Sequence, residues 1–167
     1  MRGSKRFMVY RSGMLISACA IALIDQFLKR LIEQYPVGQT VFLLDPLFDI
    51  IHTANHGAAF SMLSGKTLLL IGMTTLMLIA LAAAILFYGR LSRASRWAMA
   101  VLLGGGIGNW LDRVTAGSVT DYIRLRFIRF PVFNFSDICI TLAVLCLIAL
   151  LLTDRFETTG EEHGTGH

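Results

Sequence analysis

The chain has 167 residues, of which 55% are hydrophobic and only 16% charged, with a mean hydropathy of +0.65. Soluble domains carry about 25% charged residues, so this balance argues against an ordinary water-soluble enzyme and points to a membrane protein. The formal net charge of +4 comes from basic residues flanking apolar runs, where they meet headgroups, and does not indicate a nucleic-acid partner.

At about 20 residues per crossing, the length predicts one membrane domain, residues 1–167, with four spans. The first is predicted over 13–31, after a basic tail with Arg2, Lys5, Arg6 and Arg11. Leu15-Ile16-Ser17-Ala18-Cys19 has the look of a lipid-modification cleavage box. The apolar run continues past Cys19 through Ile21, Leu23 and Ile24, which favours an uncleaved span. Asp25 and Lys29 are four apart with the acid first, the favourable order for an ion pair on one helix face.

A long outer loop is predicted over 32–66, with a break at Pro36-Val37-Gly38, short strands over 40–44 and 48–53, and a short interfacial helix over 57–63. The second span is predicted over 67–88 and the third over 96–111. Gly104-Gly105-Gly106-Ile107-Gly108 in the third spaces glycines four apart and admits a neighbouring helix closely. It is not a dinucleotide fingerprint, because Asn109 replaces the last glycine and no strand precedes it. A second outer loop covers 112–135, where residues 123–127 alternate apolar and basic with the period of a strand. The fourth span covers 136–153 and a disordered tail 154–167. The basic N-terminal tail and the basic short loop with Arg90 and Arg93 place both termini in the cytoplasm and both long loops outside. Cys19, Cys139 and Cys146 follow no metal or redox spacing and read as small apolar packing residues.

Chemistry concentrates in two acids. Asp121 and Asp137 are sixteen apart, and Asp137 opens the last apolar run, where an ionised carboxylate is costly. Two adjacent carboxylates share one proton, so that one acts as base toward water while the other donates to a carbonyl oxygen. The alternative is that each is an isolated cap, Asp137 favoured by the helix dipole; spacing leaves both open. Asn55, Gly57, Asn109, Asp112, Arg113 and Asn134 fall at similar depth, and asparagines there also serve as caps and turn formers. His52 with His56, and His163 with His167, are four apart without a zinc motif, so no metal is expected. Ser64 with Lys66 is a weak serine–lysine pairing. A proton-coupled transporter is the competing reading of the membrane acids, and needs them distributed along a path.

Five blocks occur in order: Asp25-x-x-x-Lys29, Asn55-x-Gly57-Ala58-Ala59-Phe60, Gly105-Gly106-x-Gly108-Asn109-x-x-Asp112-Arg113, Gly117-x-Val119-x-Asp121-Tyr122, and Phe133-Asn134-x-Ser136-Asp137. This pattern, over about residues 14–153, resembles the lipoprotein signal peptidase (signal peptidase II) family. The resemblance implies an all-α membrane protein: four transmembrane helices, a small extracytoplasmic β-cradle and a short interfacial helix. It implies an aspartyl peptidase of the bacterial inner membrane, a monomer without cofactor, acting on diacylglyceryl-prolipoproteins among membrane lipids near the outer, periplasmic face. Asp121 and Asp137 match the catalytic pair; Asn55, Gly57, Asn109, Arg113, Asn134, Ser136, Asp25 and Lys29 match supporting positions. Tyr122 and Ser136 depart from the phenylalanine and alanine common there, and Ser136 is expected to tune the hydrogen bonding of Asp137.

Overall fold

Four helices and one small sheet make up the regular structure: α1 (Arg2–Ile32), β1 (Thr40–Leu44), β2 (Phe48–Asn55), α2 (Thr67–Phe87), α3 (Arg93–Ala116), β3 (Val119–Leu125) and α4 (Phe135–Leu152). This computed structural model describes residues 2–57, 66–153 and 155–157, with side chains from Ser12 onward. The interfacial helix expected over 57–63, Ser64, and His163 with His167 lie wholly or mostly outside the described residues, as do the basic side chains of the N-terminal tail.

The polarity is that of a protein in lipid. The outward faces carry Leu23 and Phe27 of α1, Leu68, Leu76 and Phe87 of α2, and Leu142, Leu145 and Leu152 of α4, all well exposed. Asp25 and Lys29 of α1 instead point inward and are fully buried. Contiguous apolar surface on this scale marks a surface that water does not cover. By length and composition α2 and α4 are able to cross a membrane. The helices α1 and α3 carry more charge, and Asp25, Lys29, Arg96 and Asp112 among their charged groups are buried.

Helix α3 packs against each of the other three, and its glycines explain how. Successive residues on a helix point about 100° apart, so Gly104, Gly105 and Gly106 face different neighbours. A Cβ on Gly104 would lie 2.7 Å from the Ala18 carbonyl of α1. On Gly105 it would lie 2.9 Å from the Ser136 carbonyl of α4, and on Gly106 2.7 Å from Leu78 Cδ2 of α2. Gly108 lies against the side chains of Asp25 and Ser136. The glycine run therefore admits three helices, where the spacing alone suggested one.

The ends of α3 extend beyond the expected 96–111 because both carry caps. Ser92 accepts from Ser95 N at 3.1 Å, and Gly117, at φ 73°, returns its N–H to the Arg113 carbonyl at 3.1 Å. Asp112 and Arg113 are thus helical. Inside the turn that leads into α3, Arg96 is buried and donates to the carbonyls of Ile85, Tyr88, Gly89 and Leu91 at 3.0–3.3 Å. These are carbonyls that the end of α2 and the turn leave without helical partners.

The sheet has antiparallel order β1-β2-β3. The strand expected over 123–127 begins earlier, at Val119, so that Asp121 lies within it, opposite Thr53. Arg124 donates to Asp49 at 2.9 and 2.5 Å and Arg126 approaches Asp49 and Asp45, so these arginines pair across the sheet. The Arg124 hydrogen bonds hold the Asp49 carboxyl below the usual range.

Two further expectations change. Part of the tail read as disordered is ordered: Phe156 O accepts from Ser92 N and Ser95 Oγ at 2.9 and 2.6 Å, and Tyr88 donates to Glu157 at 2.6 Å. The start of α3 offers donors that a polar tail can satisfy, which hydropathy does not register. Of the cysteines only Cys139 is buried, while Cys19 and Cys146 face outward.

Candidate active site

The chain leaves α3, forms β3, and returns beside it. Phe133 exchanges backbone hydrogen bonds with Ile123 at 2.7 and 3.1 Å, which sets the next residue, Asn134, against Asp121. Asn134 is also the N-cap of α4, and Asp137 is the third residue of that helix. The turn that starts α4 and the strand that carries Asp121 are therefore joined by construction.

Two asparagines connect the two acids. Asn134 Nδ2 donates to Asp121 Oδ1 at 2.7 Å and to Asn109 Oδ1 at 3.1 Å. Asn109 Nδ2 donates to Asp137 Oδ1 at 2.8 Å. Asn55 Nδ2 donates to the other Asp121 oxygen at 2.9 Å, and its own oxygen accepts from Gly57 N at 2.9 Å, which fixes which end of the amide meets the acid. Gly57 thus acts through its backbone. Its carbonyl accepts from Arg113 at 3.0 Å, and Arg113 also holds the Asn109 carbonyl at 3.1 Å. Asp137 closes a capping box, accepting from Asn134 N at 3.1 Å while its N–H donates to Asn134 Oδ1 at 3.0 Å. Asp137 thus takes part in the cap of α4 and is also linked to Asp121 through Asn109 and Asn134.

Beneath this layer lies a buried charge network. Lys29 Nζ is 2.7 Å from Asp25 Oδ2, 2.7 Å from Asp112 Oδ2 and 2.9 Å from Asn109 Oδ1. Asp112 also accepts from Gln26 at 2.6 Å and Thr120 N at 3.3 Å, and Thr120 Oγ1 donates to Glu33 at 2.8 Å. One ammonium between two carboxylates is stable in low dielectric only when the remaining lone pairs find donors; Asp112 and Asp25 Oδ1 have theirs, while Asp25 Oδ2 has the Lys29 ammonium and no further donor among the described residues. Ser136 differs from expectation: its hydroxyl is buried with no hydrogen-bond partner among the described residues, while its N–H donates to Asp25 Oδ1 at 3.0 Å.

Burial above all, with the charge of Asp137, pushes Asp121 up to about 6, against the lowering hydrogen bonds from Asn55 and Asn134. Asp121, Asp137, Asn55, Asn109 and Arg113 line one cavity of about 480 Å³, and the rest of its wall is largely apolar, including Phe130, Phe133, Ile138 and Leu142. Every residue expected at the site is in this network. Sequence reasoning misses Gln26, Thr120 and Tyr122 at the site, and the partners of Asp112. Gln26 and Thr120 find their partners Asp112 and Glu33 more than 80 residues away, and Tyr122 meets the Phe135 amide 13 residues on, so none carries a local signal.

A family model described as Signal peptidase (SPase) II matches residues 17–153. The chain belongs to the signal peptidase II family. Among curated members of that family, the lipoprotein signal peptidase of Brevibacillus brevis is 35% identical over 143 residues, covering 85% of this chain and 93% of its own. That of Dehalococcoides mccartyi is 37% identical over 142 residues, covering 83% and 88%. A solved bacterial membrane enzyme, determined by the in meso method at 2.3 Å, superposes with a TM-score of 0.80 at 28% identity, covering 93% of this chain and 95% of its own. A second, at 1.9 Å, gives 0.77 at 29% identity, covering 86% and 94%. Signal peptidase II membership makes this chain a peptidase of bacterial membranes, mostly helical, with a small antiparallel sheet.

Proposed function

We propose that this lipoprotein signal peptidase is an aspartyl endopeptidase of the inner membrane that cleaves diacylglyceryl-prolipoproteins just before the lipidated cysteine, with Asp121 and Asp137 as its catalytic pair. The observation that carries this reading is the unbroken link Asp121–Asn134–Asn109–Asp137, facing a mostly apolar cavity. The transporter reading needs acids spread along a path. Asp25, Asp112, Asp121 and Asp137 are instead tied into one network through Lys29 and the two asparagines.

In the resting pair one proton is shared, a property of the pair rather than of either residue. The ionised partner takes a proton from water as its oxygen attacks the scissile carbonyl carbon. The protonated partner gives its proton to the carbonyl oxygen, forming a neutral gem-diol. Collapse breaks the C–N bond as a proton passes to the leaving amine, freeing the signal peptide carboxylate and the lipidated cysteine. Asn55, Asn109 and Asn134 hold the carboxylate oxygens, and Arg113 braces the loop and helix that carry two of them. The apolar wall suits the acyl chains and the substrate helix. No step calls on a cofactor.

Four helices cross the membrane in this reading, both termini are cytoplasmic, the site lies near the periplasmic face, and the enzyme works as a monomer. Asp121→Asn and Asp137→Asn, purified in detergent and assayed on a diacylglyceryl-modified precursor, are each expected to abolish cleavage while melting as folded proteins. Wild-type turnover by either variant refutes the assignment.

A further inference from the structure

A helix begins with four backbone N–H groups that lack helical partners, and in α4 each is taken by a different group. Asn134 N donates to the Asp137 carboxylate at 3.1 Å and Asp137 N to Asn134 Oδ1 at 3.0 Å, both within the turn itself. The other two leave the helix. Phe135 N donates to the Tyr122 hydroxyl of β3 at 3.2 Å, and Ser136 N to Asp25 Oδ1 of α1 at 3.0 Å. Tyr122 is buried and Asp25 is wholly so. The turn that carries Asp137 is therefore gripped from two sides, by elements that approach through separate parts of the sequence.

We propose that Asp25 and Tyr122 are positioning residues for Asp137, holding the first turn of α4 through its Phe135 and Ser136 amides so that the carboxylate meets Asn109 and the substrate in a fixed direction. The two oxygens of Asp25 divide the work: Oδ1 accepts from Ser136 N and Oδ2 lies 2.7 Å from Lys29. Lys29 in turn contacts Asn109 Oδ1 at 2.9 Å, and Asn109 donates to Asp137. Asp25 thus reaches Asp137 by two routes, through the backbone of α4 and through the side chains of Lys29 and Asn109. Asparagine at 25 has a single acceptor oxygen and is unable to serve both the Ser136 amide and Lys29. Gly108 leaves room for this contact, since a side chain there would collide with both Asp25 and Ser136. The role assigned here concerns catalysis, beyond the stabilising ion pair that the Asp25–Lys29 spacing suggests.

The inference rests on Asp137 being catalytic, and the test separates the two. Full-length Tyr122→Phe, Asp25→Asn and Asp25→Leu are compared with wild type and Asp137→Asn for kcat, KM and amide hydrogen exchange across residues 134–138. Small misplacements of reacting groups act on turnover, so Tyr122→Phe is expected to lower kcat about three- to tenfold and leave KM within about twofold. Asp25→Asn is expected to lose more, about tenfold or beyond, and Asp25→Leu the most, again in kcat. Exchange at 134–138 rises in all three, while α2 exchanges as in wild type. If Asp25→Leu fails to fold, Tyr122→Phe and Asp25→Asn decide the matter. Wild-type kcat and exchange in both overturn the proposal, as does a loss expressed in KM alone. Normal turnover by Asp137→Asn refutes the functional reading instead, and the exchange data still report whether the turn is held.

Discussion

Adding a single methyl group at Gly105 tests whether the closeness of α3 and α4 sets the site. In Gly105→Ala the new Cβ would lie 2.9 Å from the Ser136 carbonyl, 3.0 Å from Ile140 Cγ1 and 3.3 Å from Cys139 Cβ. The first contact is about half an ångström short of ordinary separation. The obstruction is backbone, in the first turn of α4, so rotamer changes do not relieve it. The helix must move as a body, carrying Asp137 with it. Overpacking of this kind costs about 1–3 kcal/mol of stability. A displacement of about half an ångström at a reacting group is expected to lower kcat about tenfold, given that about 1 Å costs about a hundredfold. Gly72→Ala is the control. Its Cβ would meet nothing within 4 Å, so it gains about 0.5–1 kcal/mol from helix propensity and keeps wild-type kcat. Thermal unfolding in detergent and single-turnover cleavage of a lipidated precursor measure both quantities. A Gly105→Ala enzyme as stable and as active as wild type refutes the packing argument.

The remaining predictions concern pH and the turn between α2 and α3. Asp121 lies at about 6 in the folded protein against 3.8 as a free side chain, so its contribution to stability is full below 3.8 and is lost as pH rises through about 6. Wild type measured against Asp121→Asn should therefore lose about 2.5 kcal/mol of relative stability between pH 4 and 7.5, and a flat difference across that range contradicts the burial of the acid. Arg96→Met leaves four carbonyls without their guanidinium donor; a loss of about 3 kcal/mol or more in melting experiments is expected, with kcat of the folded fraction unchanged.

The legible parts of this protein were those with local chemistry. The acids stood out because Asp137 opens an apolar run, and Asn134 because it precedes Asp137 by the interval of a capping residue. The two strands between Pro36 and Asn55 followed from β-branched and aromatic clustering, though not their pairing. The true ends of α3 were present as Ser92 and Gly117, but hydropathy weighs span interiors and passes over caps. Asp112 was unreadable for another reason: its partners Gln26 and Lys29 lie more than 80 residues away, and only the fold joins them. The docking of Phe156 onto Ser92 and Ser95 rests on one backbone carbonyl, which any residue type supplies.

The glycine run of α3 also has a meaning for how such a chain can change over generations. Gly104, Gly105 and Gly106 index the helix angularly against three neighbours, and Asn109, Asp112 and Arg113 follow on the same shaft. Inserting or deleting one residue between them would turn everything downstream by about 100°. Asn109 would swing away from Asp137, and Asp112 from Lys29, while composition and hydropathy stayed almost unaltered. A substitution such as Gly105→Ala disturbs one of these contacts, whereas a change in length between Gly104 and Arg113 breaks them together.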